Sequence, residues 1–121
     1  MSLKRIILEM GTGNDLYGGD YTKAACRAVD DAIHHSSITL FSSLGYDHKD
    51  MQVRVTIAVQ NPDAVDVKTV GERLPRGNAT VNVVKGGLDV SNPDKGGHHV
   101  IATAAIEAFL HVNSEDWRLV N

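Results

Sequence analysis

The segment 11–19 carries the residues whose chemistry stands out first. Its sequence, GTGNDLYGG, places four glycines and an aspartate directly after a short apolar run. A glycine-rich turn between a strand and a helix exposes backbone N–H groups at a helix N-terminus, where anions bind. An acid held there, Asp15, is a natural hydrogen-bond acceptor or general base. The alternative is that the glycines only make a tight turn and that Asp15 caps local backbone.

The glycine spacing excludes the common phosphate-binding motifs. Glycines at positions 11, 13 and 18 break the G-x-G-x-x-G pattern of dinucleotide-binding domains, and the Lys and Ser/Thr of the Walker motif are missing. The carboxylate of Asp15 would also repel a phosphate group. We therefore predict no cofactor.

Six histidines raise the question of a metal site. Four of them form the pairs His34-His35 and His98-His99, and adjacent histidines on a helix point about 100° apart, whereas histidines at i and i+4 converge on one ion. Neither H-x-x-x-H nor H-E-x-x-H occurs, so we predict no metal site. His98 and His99 follow two glycines at a predicted helix start, where a neutral imidazole can act as a base or donor. Alternatively, one packs and the other is solvated.

Two basic residues complete the candidate site. Lys85 precedes Gly86-Gly87, a pattern that resembles a bulged strand end where a ligand can approach the backbone, although an exposed lysine is the commoner outcome. Arg54 lies on the polar side of a predicted strand and is the second candidate for an electrostatic clamp. The single cysteine, Cys26, falls on the apolar face of a predicted helix, and we interpret it as a core residue rather than a nucleophile.

Hydrophobic periodicity predicts the elements that must position these residues. Segments 5–10 and 79–84 indicate strands, and segment 51–60 alternates with period two, which makes it the clearest strand. Helices are predicted from Asp20 or Thr22 to residue 35, over 63–74, and over 97–112. The last of these would face inward with Ile101, Ala104, Ala105, Ala108 and Val112. Segment 36–49 is left unassigned.

This order predicts an α/β (α+β-like) two-layer sandwich, a single domain over residues 1–121. One sheet would carry two long alanine-rich helices on one face. The other face would present Glu9 or Ile7, Arg54, Thr56 and Asn82, too mixed for a solvent face and too polar for a monomer core. Burial between copies of the chain resolves this conflict, so we expect a homo-oligomer.

Composition narrows the possible partners and location. Hydrophobic residues at 42% and charged residues at 22% are typical of a globular protein. A net charge of -3, without a Lys/Arg stripe, argues against a nucleic-acid partner. No apolar run is long enough to span a bilayer and no signal peptide is apparent, so we expect a cytoplasmic protein without a membrane partner.

The glycine-rich segment also resembles a family motif. Gly11-x-Gly13-x-Asp15-x-Tyr17-Gly18 is similar to the Gly-x-Gly-x-Asp-x-His-Gly hallmark of the Lin conserved-hypothetical family. The later segments VVKGGLDV and VIATAAIEAF are similar as well, so the resemblance covers most of the chain. The resemblance implies that four residues belong to the family motif: Gly11, Gly13, Asp15 and Gly18. Tyr17 stands where the family has His. The resemblance implies no particular reaction.

Two classes of function stay open. In the first, the protein is an enzyme for a small polar or anionic metabolite at a site between subunits. Asp15 would be the acid or base, Lys85 or Arg54 the clamp, and His98 or His99 a second proton carrier. In the second, it is a non-catalytic ligand-binding or assembly module whose glycines serve packing and oligomer contacts. A pocket containing Asp15 and a basic residue would favour the enzyme.

Overall fold

The computed structural model describes residues 2–34, 45–74, 77–94 and 96–116. They form a five-stranded mixed sheet with two helices, an α+β fold, so the predicted fold class is confirmed at this level. In chain order the elements are β1 (Ser2–Asp15), α1 (Tyr21–Ile33), β2 (Gln52–Val59), α2 (Val67–Gly71), β3 (Asn78–Lys85), β4 (Leu88–Ser91) and β5 (His98–Val112). Short 3-10 turns lie at His48–Asp50, Pro62–Ala64 and Ser114–Asp116. Most of segment 36–49 lies outside the described residues.

The last strand, β5, is the centre of the sheet. It pairs antiparallel with β1 on one side and with β2 on the other. β3 lies beyond β2 and runs parallel to it, because α2 carries the chain back over one face between the two strands. β4 pairs with the first residues of β5, on the same side as β2.

The largest correction concerns residues 97–112, which the sequence predicted to be a long helix. They form β5, in which buried and half-buried residues alternate. Alanine favours helices in isolation, but hydrogen bonding to a strand on each side overrides that preference. The sheet is therefore covered by one long helix of 13 residues and a second of only 5. Ile101 and Ala105, predicted to face inward, lie on the opposite side from the buried set Val100, Ala102, Ala104, Ile106, Ala108, Leu110 and Val112.

The first strand is also longer than predicted. It continues through residues 11–15, so Gly11, Gly13 and Asp15 belong to β1 rather than to a loop. The helix after it begins as expected, since the Asp20 side chain accepts a hydrogen bond from the Lys23 N–H at 3.1 Å. The loop itself shrinks to residues 16–20.

Both helices pack on the same face of the sheet and leave the other face without a described element over it. We call this second surface the open face. It includes Leu8, Met10, Thr12 and Asn14 on β1, Arg54, Thr56 and Ala58 on β2, Thr80, Asn82 and Val84 on β3, Leu88 and Val90 on β4, and Ile101, Thr103, Ala105, Glu107 and Phe109 on β5. Arg54, Thr56 and Asn82 lie there as predicted. Ile7 and Glu9 do not, because they pair with Ala108 and Ile106 and share the helix-covered side.

Candidate functional site

The predicted acid, Asp15, lies at the end of β1 on the helix-covered side and is only 5% exposed. Its Oδ2 accepts a hydrogen bond of 2.8 Å from the backbone N–H of Asp20. Its Oδ1 lies 3.5 Å from the guanidinium of Arg27, which also donates to the carbonyl oxygen of Asn14 at 2.6 Å. The carboxylate therefore connects the end of β1 to the first turns of α1.

The glycines of the motif make this connection possible. A Cβ built on Gly13 would lie 2.3 Å from the backbone nitrogen of Ala28 and 2.4 Å from the carbonyl oxygen of Ala24. A Cβ on Gly11 would meet Ala28 and Ala32 at 2.5 Å. The three alanines are fully buried and four residues apart, so they form the stripe of α1 that lies against β1. Glycine is required because the two backbones are in contact.

Gly18 has a different role. A Cβ at this position would lie 2.8 Å from Oδ2 of Asp15, the oxygen that accepts the Asp20 hydrogen bond. The absence of a side chain at Gly18 thus leaves room for the carboxylate. The four residues carried by the motif resemblance thus all lie where β1 meets α1: the three glycines leave space, and Asp15 accepts the hydrogen bond.

Tyr17 and the two candidate histidines lie beside the same loop. Tyr17 is 88% exposed, and its ring meets the ring of His99 edge-on, with 6.5 Å between the centroids. Nδ1 of His99 hydrogen bonds to the carbonyl oxygen of Leu16. The preceding residue, His98, is exposed to solvent. Both histidines begin a strand and not a helix, so the predicted influence of a helix N-terminus does not apply to them.

An interaction that sequence reasoning missed lies in the same row of the sheet. Asp15 on β1 and Asp89 on β4 both pair with Val100, which places them on either side of it, about 10 Å apart. The hydroxyl of Tyr21, the first residue of α1, donates to Oδ2 of Asp89. Within the described ranges, the other oxygen of Asp89 is buried and accepts no hydrogen bond. The alternation of apolar and acidic residues in Leu88-Asp89-Val90 is the sequence feature that could have indicated an inward-facing Asp89.

This contact changes the acidity of the tyrosine. The hydrogen bond to Asp89 is the main factor that raises the pKa of Tyr21, with smaller contributions from burial and from the negative charge of Asp89. For the nearby Cys26 on α1 the main factor is different, since burial raises the pKa of its thiol. Cys26 is half-buried against the core, in agreement with its interpretation as a packing residue.

The two predicted clamp residues lie away from Asp15. Arg54 belongs to the open face, and its guanidinium carbon lies 4.6 Å above the ring of Phe109. Its partner on β5, Glu107, is seven residues beyond Val100, which corresponds to about 24 Å along the strand. Lys85 ends β3, three strands away from β1, and is exposed. Asp15, His98 and His99 thus share one end of the sheet, and Arg54 and Lys85 are not brought to them.

In the part of the chain that the structure describes, no three His, Cys, Asp or Glu side chains are grouped as a metal site. No helix of the described residues is long and apolar enough to cross a membrane. The absence of a bound metal or cofactor in the protein stays a prediction.

Comparison with known proteins places the chain in a family. The profile described as "Conserved hypothetical protein (Lin0512_fam)" matches residues 5–108. The crystal structure of an FtsZ-like protein of unknown function from Nostoc punctiforme is similar, with a TM-score of 0.81 and 35% sequence identity. The match covers 93% of this chain and 99% of that one. A search of curated proteins found no significant match. The chain therefore belongs to the Lin0512 family of conserved hypothetical proteins.

Proposed function

We propose that this protein is an assembly module that associates with copies of itself through the open face. The observation that carries the proposal is the position of its exposed large hydrophobic residues. Five of the eight in the described residues lie on the open face: Leu8 at 47%, Met10 at 62%, Val84 at 47%, Leu88 at 53% and Val90 at 44% exposure. Exposed apolar side chains gathered on one surface are typical of an interaction site, whereas scattered ones are not.

The charges of the open face favour a second copy as the partner. Arg54 lies above Phe109, and Glu107 forms a 3.1 Å ion pair with Arg5 near the same row of side chains. A surface that carries both signs suits a second copy related by two-fold symmetry, because Arg54 of each copy can lie next to Glu107 of the other.

The role of Asp15 also favours the module over the enzyme. Its two carboxylate oxygens are directed to Asp20 and Arg27, and it is nearly excluded from solvent. A general base needs access to a substrate proton, and a clamp needs to lie within reach of the same ligand. Neither Arg54 nor Lys85 lies beside Asp15. The motif is accounted for by the packing of β1 against α1.

Light scattering on the parent and on two matched variants tests this proposal. At micromolar concentration the parent should have at least twice the chain mass of 13.1 kDa. Met10→Lys places a charge among the exposed apolar residues of the open face, on β1 next to Leu8, and should give a smaller assembly without loss of helix or sheet. Leu16→Lys changes an exposed leucine outside the strands of the open face and should keep the parent mass. A parent that is monomeric, or equal masses for all three proteins, would reject the assembly role.

A further inference from the structure

The two edges of the sheet are protected to very different degrees. Along β1, the outer edge is covered by side chains of α1: the Thr12 N–H donates to Asp31 at 3.0 Å, and Arg27 donates to the carbonyl oxygen of Asn14. An irregularity in pairing between Arg5 and Ile7 also disturbs β1. Such features prevent an edge strand from pairing with another chain.

The other edge, β3, lacks these protections. Its eight residues pair with β2 in unbroken register, contain no proline and include one charged residue, Lys85. No described strand lies beyond it. A regular edge strand without a bulge, a proline or a central charge is a template for another strand.

The direction of the backbone groups of β3 follows from two hydrogen bonds. The N–H groups of Asn78 and Gly86 donate to the carbonyl oxygens of Met51 and Val59, each at 2.9 Å, so even-numbered residues bond to the β2 side. Backbone groups alternate in direction along a strand. The odd-numbered residues Ala79, Val81, Val83 and Lys85 therefore direct their N–H and C=O groups away from the sheet. Their side chains lie on the helix-covered side, because their partners on β2 do.

A groove of about 620 Å³ runs beside this edge, between α2 and β3. Ala79 and Val81 line it from the strand, Val67 lines it from α2, and Glu72 lines it from the position directly after α2. Val67 is 46% exposed there. The groove can therefore receive apolar and basic side chains of a strand placed next to β3.

We propose that β3 pairs antiparallel with β3 of a second copy, about a two-fold axis at Asn82. This register pairs Val81 with Val83 of the other copy, and Ala79 with Lys85 of the other copy. The outward-directed backbone N–H and C=O groups of all four residues then form hydrogen bonds between the two strands. An axis at Val81 would instead place Lys85 opposite Gly77, which lies outside β3. This interface is separate from the open face and does not depend on the proposed function.

Charge and shape identify a second copy as the occupant. The register brings Lys85 of one chain next to Ala79 of the other, at the groove whose rim carries Glu72. The strand supplies alternating apolar residues for the groove, and its single cation meets this anion. The groove is also lined by a cation, Lys68. Its charge is close to that of Asp66 in the same chain, and Lys68 contributes to lowering the pKa of Asp66.

Disulfide trapping tests the register directly. In a Cys26→Ala background, Asn82→Cys would place two thiols opposite each other in a non-hydrogen-bonded pair, about 4.5 Å apart between Cα atoms, which suits a disulfide. The matched control, Thr80→Cys, lies on the same face of the same strand, but the register separates its two copies by about 14 Å along the strand. A mixture of Thr80→Cys and Val84→Cys chains brings these two positions together.

Under mild oxidation, Asn82→Cys should form a covalent dimer at least about ten-fold faster than Thr80→Cys, because proximity replaces random encounter. The mixed Thr80→Cys and Val84→Cys chains should cross-link as well, and both reactions should persist when Met10→Lys disrupts the open face. A charge reversal supplies a second test if Asn82→Cys is destabilised. Glu72→Lys alone and Lys85→Glu alone should each reduce cross-linking in the mixture of Thr80→Cys and Val84→Cys chains. The two reversals together should restore it. Equal rates at positions 80 and 82, or cross-linking that ceases with Met10→Lys, would overturn the pairing.

Discussion

The backbone N–H of Asp20 donates a 2.8 Å hydrogen bond to the carboxylate of Asp15, so the last residue of β1 holds the residue that caps α1. Gly18 leaves the space that this carboxylate occupies. The glycine-rich motif thus connects the end of β1 to the start of α1.

Loss of the Asp15 carboxylate should cost stability. Asp15→Ala removes the acceptor of the part-buried Asp20 N–H and the ion-pair partner of Arg27, which is half exposed and keeps its bond to the Asn14 carbonyl oxygen. We therefore expect the free energy of unfolding to fall by about 1 to 3 kcal/mol. Asp15→Asn should cost less, because its amide oxygen can still accept from Asp20. Urea unfolding measures both, with Asp63→Ala, an exposed aspartate, as the control. Equal stability of Asp15→Ala and Asp63→Ala would mean that the carboxylate does not hold α1.

The contact between β1 and α1 predicts a sharp contrast between two glycines. In Gly13→Ala, the added methyl group meets the helix backbone at 2.3 Å, so α1 must move away and we expect a loss of about 1 to 3 kcal/mol. In Gly71→Ala, the methyl group meets only Val81 at 3.7 Å, an ordinary contact. Since alanine favours a helix, that variant should be as stable as the parent or more so. Thermal unfolding measures the stability of the two variants. A Gly13→Ala variant as stable as the parent would argue against contact between the two backbones.

The hydrogen bond from Tyr21 to Asp89 predicts a stability change at alkaline pH. Because the pKa of Tyr21 is raised in the folded protein, its contribution is complete below the unfolded-state pKa, about 10, and is lost as the pH rises through the folded-state pKa. Tyr21→Phe should lower the free energy of unfolding by about 1 kcal/mol at neutral pH, and the difference from the parent should shrink above about pH 10. Denaturant unfolding at several pH values follows this difference.

Tyr17→Phe is the matched control for that experiment, since Tyr17 is 88% exposed and its ring contact with His99 needs no hydroxyl. We expect its stability to equal that of the parent at every pH. A Tyr21→Phe variant with the same pH profile as the parent would show that the Asp89 contact adds nothing to folding.

Local patterns in the sequence predicted much of the fold. The period-two alternation of β2 and the capping aspartate of α1 depend on near neighbours, and both are present as expected. The sequence of β5 instead predicts a helix, because its alanines have high helix propensity. What makes it a strand is pairing with β1 and β2, which come from distant parts of the chain. A single sequence gives no direct sign of such long-range pairing.

The candidate site was predictable only in part. The sequence placed Asp15 near the start of α1, but it could not show that Gly11 and Gly13 face the helix backbone, since glycine in a loop and glycine in a close contact look alike. The link between Tyr21 and Asp89 spans 68 positions and depends on the register of β4 against β5. Arg54 and Lys85 have the charge expected of a clamp, but the topology places them elsewhere.

The most direct test of the assembly role is hydroxyl-radical footprinting of the open face. Met10 and Leu88 are 62% and 53% exposed in the single chain, so the assembly should protect both side chains in the parent protein. In Leu8→Lys, which places a charge on the same face, their oxidation should accelerate, while His34, exposed at the end of α1, should react at the same rate in both proteins. Oxidation of Met10 and Leu88 at equal rates in the parent and the variant would contradict the proposal that copies of the chain cover this face.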